Sequence, residues 1–190
     1  CLESNTTGTR NTAVGANAAD ASATANDVTA IGYAALTANT DSGSNNTAVG
    51  SYALNNNTTG SENTAMGKSA LGSATTGAYL TAVGSGAMAA AVTGNKNDAF
   101  GFNAGASITT GTSNTCLGTQ TMDSLTTGNY NVAIGVAALQ AIGDDSNNVA
   151  VGYRALYTST VSNNTAVGRD ALYAATTATE NVALGTNAMG

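Results

Sequence analysis

The residue types that could do covalent or metal chemistry are few and poorly placed for it. The 190-residue chain has no His, two Cys, and 11 Asp+Glu against 5 Lys+Arg. Without His, the commonest general base and transition-metal ligand is missing. Ser and Thr hydroxyls abound, but no base is paired with them to activate a nucleophile. The one adjacent acid pair, Asp144-Asp145, follows Gly143 where the local pattern shifts, and reads as a solvated turn. Calcium-binding solenoids use nine-residue Gly/Asp repeats, and this chain has neither that period nor those aspartates. The expectation is a protein that is not an enzyme, with no catalytic residue, no cofactor and no metal site.

Charge narrows the partners. A formal net of −6 leaves no Lys/Arg patch for nucleic acid or an anionic membrane surface. The longest apolar stretch, near Ala87–Val92, falls far short of the roughly 20 residues of a membrane span. No basic segment leads into an apolar one as in a secretory leader.

What positions the remaining side chains is a repeat. One motif recurs eleven times, ending at Gly15, Gly32, Gly50, Gly67, Gly84, Gly101, Gly118, Gly135, Gly152, Gly168 and Gly185. Eight of the ten spacings are 17, one is 18 and one is 16, so a single array fills residues 1–190. With each of these glycines as position zero, −4 is Asn in nine copies, with Val28 and Leu80 the exceptions. Position −3 is Thr or Val except Asp98, and −2 is Ala except Cys116. Position −1 is always larger and apolar, from Val14 and Ile31 to Phe100 and Leu184. Position +3 is Ala except Thr121, +4 is usually Leu or Met, and +8 to +10 often read Thr-Thr-Gly.

A 17-residue unit rich in Thr, Val, Asn and Gly cannot hold two helices and their turns. Nor can it fold alone, since fixing its backbone costs roughly 1–2 kcal/mol per residue. Stacking copies about 4.8 Å apart supplies burial and a backbone ladder. The predicted fold is all-β: a parallel β-solenoid of about eleven 17-residue coils. Apolar anchors at −1 and +4, with small residues at +10, favour a flat roll of two short strands over a three-sided helix. The Asn column predicts a stacked amide ladder, and Gly at zero and +10 predicts positive φ or close backbone approach.

Alternation along the strand groups −3 with −1 and −2 with zero. The Thr/Val and large apolar pair is assigned to the coil interior, and the Ala/Gly pair to an outer face held close to copies of the same chain. In the same frame Cys1 falls in the +3 Ala column and is expected to be a small core residue rather than a lipidated terminus. Cys116 is expected to be buried and inert, about seven coils away and beyond disulfide reach. Neither end carries a polar cap, so the array is read as a slice of a longer fibre.

The unit Asn-Thr-Ala-Val-Gly at 11–15 and 46–50, followed by Ala53-Leu54 or Ala155-Leu156, resembles the head repeats of trimeric autotransporter adhesins. It also resembles Asn-Thr-Ala-Val-Gly arrays of phage tail-fibre-like proteins. The likeness covers the whole chain. It implies a left-handed β-roll packed as a homotrimer, on a cell or virion surface, as a structural or adhesive segment that displays a binding element to a host surface. Adhesin head units are usually shorter, and no stalk, anchor or chaperone domain is visible in this sequence.

Two further features suggest ligands. Thr occupies +8 in eight copies, counting Thr6 of the partial coil before the first, and including Thr40, Thr58, Thr109 and Thr160, and such ladders suggest the alternative of an ice-binding solenoid. Adjacent strand positions face opposite ways, so hydroxyls bonded to the neighbouring backbone are the simpler expectation. The aromatics break the repeat: Tyr33, Phe102 and Tyr153 at +1, Tyr52 at +2, Tyr157 and Tyr173 at +5, Tyr79 and Tyr130 at +12. Tyr153 and Tyr157 are the pair singled out for glycan or receptor contact. Beyond these, the sequence marks no ligand-binding residue, and the ligand itself is unknown from it.

Overall fold

The computed structural model describes residues 1–39, 43–177 and 179–189. Among these residues eleven three-residue strands, from Thr12–Val14 to Val182–Leu184, form one parallel sheet in chain order, and there is no helix. Each of these eleven strands is the −3 to −1 segment of one repeat. Register is column on column, Ala13 opposite Ala30 and Ala48 opposite Ala65. The 18- and 16-residue copies keep it too, with Ile31 opposite Val49 and Val151 opposite Val167. The extra and missing residues are therefore absorbed in the turns, where a length change costs little. The parallel β-solenoid is the fold expected from the period.

The far side of the coil is less regular than a two-strand roll. Among the described residues three coils pair there as strands, at Ala141–Ile142, Thr158–Ser159 and Ala174–Ala175. Elsewhere stacked turns do the same work. The Leu36 N–H donates to the Ala53 carbonyl at 2.9 Å, and the Leu71 N–H to Ala87 at 3.0 Å.

The interior is the reverse of the one expected from alternation. Ala at −2 points inward and is buried throughout the middle of the stack, while the large −1 residues point out. Inside, the −2 and +3 alanines meet the +4 residues Leu36, Leu54, Leu71, Met88, Met122, Leu139 and Leu156. The coil is flat, so a long side chain on one wall leaves room only for Ala on the other. An interior anchor that the sequence did not reveal is +7, where Ile108, Leu125 and Ile142 are fully buried. In earlier copies the same column holds buried Ser22, Asn39 and Asn57, and the Asn57 amide donates to Asn39 Oδ1 at 3.1 Å.

The tight corners fall where L residues adopt them at a cost. Leu36, Leu54 and Leu71 at +4 have φ of 54°, 48° and 50°. Left-handed backbone costs about 1–2 kcal/mol per L residue, whereas burying a Leu contributes about 1.5–3 kcal/mol, so burial wins at +4. Position zero is stricter. Gly67 has φ +136°, and a Cβ there would sit 2.6 Å from the Gly84 carbonyl oxygen. Glycine at zero thus permits close approach of the next coil of the same chain, not of a second molecule. Gly60, at +10, lacks positive φ; a Cβ there would run into the Gly77 carbonyl oxygen of the next coil and the Asn57 amide, so glycine at +10 also serves close backbone approach.

The asparagine column is the amide ladder expected. Asn131 Oδ1 accepts from the Asn148 backbone N–H at 3.0 Å, and Asn131 Nδ2 donates to the Asp145 carbonyl at 2.9 Å. Asn114 and Asn97 repeat the pattern one and two coils earlier. A second ladder runs at −6, where the Thr112 N–H donates to Asn129 Oδ1 at 2.8 Å and the Asn129 N–H to Ser146 Oγ at 2.9 Å.

Candidate functional site

Because −3 and −1 face out, the sheet presents a flat stripe of Thr or Val beside Val, Ile, Met, Phe or Leu. Met66 is 45% exposed, Phe100 40% and Leu117 45%. The stripe runs the length of the sheet, about 50 Å by about 10 Å for eleven strands, on the order of 500 Å2. Tyr33, Phe102, Val136 and Tyr153 at +1 are also exposed and widen it. The partner of the Ala/Gly pair is therefore the chain's own interior and its own next coil. The surface left uncovered is the large apolar column that had been assigned to the core.

The other residues singled out in the sequence are spread along the rod. Asp144 is exposed, and hydrogen bonds from the Thr126 and Thr127 hydroxyls hold its carboxyl below the usual range. Burial raises that of Asp145, with the Asp144 charge adding to it. Among the described residues no three His, Cys, Asp or Glu side chains gather as a metal site. No helix among them is long and apolar enough to cross a membrane.

Cys116 is fully buried, and burial pushes its thiol up to about 12, with Asp98 adding to the shift. Cys1 is exposed, whereas a small core residue was expected in its column. The +8 threonines are tied to the backbone: Thr58, Thr109 and Thr160 hydroxyls donate to Thr75, Thr126 and Thr176 carbonyls at 3.0–3.1 Å. Thr40 lies outside the described residues.

The aromatics fall into groups. Tyr33 and Tyr52 meet edge to face, with centroids 5.3 Å apart. Tyr157 and Tyr173 stack in parallel at 5.1 Å. Arg154 joins Tyr153 to that stack, its guanidinium carbon 4.8 Å from the Tyr153 centroid and 5.2 Å from that of Tyr173. Sequence reasoning missed Arg154 and Asp170. The signal was opposite charge in one column of successive copies, +2 here; Arg10 and Asp27 repeat it at −5, where the Arg10 hydrogen bond lowers the Asp27 carboxyl.

No family model, no curated protein and no solved structure matches the chain.

Proposed function

We propose that the chain is a shaft or head segment of an extracellular fibre, on a cell or virion surface, in which copies pack side by side through the outward strand stripe. The observation that supports this is the continuous column of large apolar side chains that faces outward beside the Thr/Val column. The whole stripe, threonines included, is on the order of 500 Å2, within the size of the surface patches, about 300–600 Å2, that are often functional. With its +1 flank it approaches the roughly 800 Å2 per partner of a standard interface. Three copies is the number implied by the likeness to trimeric adhesin heads and tail fibres. The role is mechanical: coils about 4.8 Å apart hold a binding element away from the surface that bears the fibre.

An ice-binding solenoid is the second reading. It gains from the outward Thr-x-apolar strands, such as Thr47-Ala48-Val49 and Thr81-Ala82-Val83, which place a hydroxyl and a methyl side by side on a flat sheet. It loses from Met66, Asp98 and Phe100, which interrupt any regular match to a lattice. Light scattering on a size-exclusion column separates the two. A mass near three times 18.4 kDa is the expected result. A monomer that stops ice recrystallisation would replace the fibre reading.

A further inference from the structure

Two successive coils depart from the repeat together. They place Arg154 and Asp170 at +2, Tyr157 and Tyr173 at +5, and Arg169 at +1. Arg154 Nε lies 2.8 Å from Asp170 Oδ1, and Arg169 Nε lies 3.3 Å from Asp170 Oδ2. Two of the chain's five cationic side chains therefore share one carboxylate, a local excess of positive charge on a chain of net −6. Beside them an open cleft of about 360 Å3 is lined by Arg154, Asp170, Tyr173 and, from the next coil, Asn187.

The cleft is preorganised. Tyr157 backs Tyr173 in a parallel stack, and the Arg154 guanidinium is held against two rings. The Arg154–Asp170 pair is a charge contact rather than an aligned hydrogen bond, since Arg154 Nε and Asp170 Oδ1 are buried without one. Asp170 is 13% exposed against 37% for Arg154, so the guanidinium is the more accessible of the two charges. The terminal edge of an arginine presents parallel N–H donors that match a carboxylate.

We propose that this cleft binds one carboxylate-bearing sugar ring of the uronic-acid type. Arg154 takes the carboxylate, Tyr173, which lines the cleft, meets the apolar C–H groups of the pyranose, and Asp170 and Asn187 serve its hydroxyls as acceptor and as donor and acceptor. The volume lies near the lower end of ligand pockets, about 300–1,000 Å3, and suits one ring with some water. A nucleic acid would need a run of cations along its phosphates, which a chain of net −6 lacks. The site rests on the adhesive reading only for the ligand's source, a glycan on the surface that is bound.

The test is saturation-transfer NMR and calorimetric titration of the whole chain with glucuronic acid, glucose and acetate. Glucuronate is expected to bind roughly tenfold more tightly than glucose or acetate, a difference of about 1.4 kcal/mol. Arg154→Asn and Asn187→Gly introduce residues that tolerate the φ of 52° and 56° at these positions, and each is expected to weaken glucuronate roughly tenfold in a chain that stays folded; Arg154→Asn also lowers the melting temperature, because Asp170 loses a partner, whereas Asn187→Gly leaves it nearly unchanged. Tyr173→Phe keeps the ring and should keep binding.

Equal binding of acetate and glucuronate, or no transfer to glucuronate at tens of millimolar, overturns the proposal. If a variant fails to fold, the three ligands compared on the unaltered chain still decide it. A trimer that ignores glucuronate overturns the site alone, and a monomer that binds it overturns the association alone.

Discussion

The sulfur of Cys116 lies 3.5 Å from the sulfur of Met122, both fully buried, across the interior of one coil. Cys116 occupies the −2 column and Met122 the +4 column, so this contact shows directly which strand face is the inside. The same sulfur also faces the +4 position of the adjacent coil, since a Cβ on Gly105 would lie 3.3 Å from Cys116 Sγ. Small residues at −2 are thus a requirement of a narrow coil with long +4 side chains. The adhesive reading has to use the opposite face.

The buried thiol makes stability depend on pH. Its folded pKa is raised from 9 to about 12, so the stabilisation is complete below about pH 9 and is lost as pH rises toward 12, because the unfolded chain ionises first. At pH 11 the loss is about 2–3 kcal/mol, some two pH units at about 1.36 kcal/mol each. Urea melts of the chain and of Cys116→Ala should diverge only above pH 9. Ala fills this column in the other ten copies, so the variant itself should cost little at pH 7. Parallel curves from pH 8 to 11 would remove the buried-thiol account.

Glycines at different points of the coil should differ sharply in tolerance, as Gly67 at zero and Gly143 at +8 illustrate. Gly67→Ala puts a Cβ 2.6 Å from the Gly84 carbonyl oxygen at φ +136° and should cost more than about 3 kcal/mol, or split the stack at that coil. A Cβ on Gly143 meets nothing within 4 Å, so Gly143→Ala should lie within about 1 kcal/mol of the unaltered chain on either side. Thermal melts with limited proteolysis would show both effects, and equal melting of the two variants would contradict the stacking argument.

The stack, its register and the asparagine ladder were legible in the sequence because each imposes one residue type on one column in nearly every copy. The inside face was not. Alternation tells −2 from −1 without telling in from out, and alanine suits a tight intermolecular contact as well as a narrow interior. The +7 anchor was hidden because its column changes from Ser22, Asn39 and Asn57 to Ile108, Leu125 and Ile142 along the rod, filling the same space in different ways. Half of the aromatic corner was visible as Tyr153 and Tyr157. Its charged half needed the columns read across successive coils, where Arg154 falls under Asp170.

Removing one rung of the ladder should cost more than one hydrogen bond. Asn131 serves the Asn148 N–H, the Asp145 carbonyl and Asn114 Oδ1. Asn131→Ala leaves these buried groups without that partner, at about 1–3 kcal/mol for each that water cannot reach, so a loss of about 2–4 kcal/mol is expected. Hydrogen exchange should show the Asn148 amide losing protection before amides several coils away. Unchanged exchange at Asn148 would mean the ladder is decorative.

The inside–outside assignment and the association it allows are tested together by neighbouring substitutions on one strand. Ala82 is fully buried, and Val83 beside it is half-buried and faces outward. Ala82→Asp buries a carboxylate without a partner and should unfold its coil, at more than about 3 kcal/mol. Val83→Asp should leave the fold of the single chain nearly unchanged, within about 1 kcal/mol by urea melts at low protein concentration. In the association reading it also sets like charges against an apolar neighbour in every copy, so the light-scattering mass should fall toward 18.4 kDa. Val83→Asp melting as badly as Ala82→Asp would return the large residues to the core. Val83→Asp with an undiminished multimeric mass would place the contact between copies on some other face.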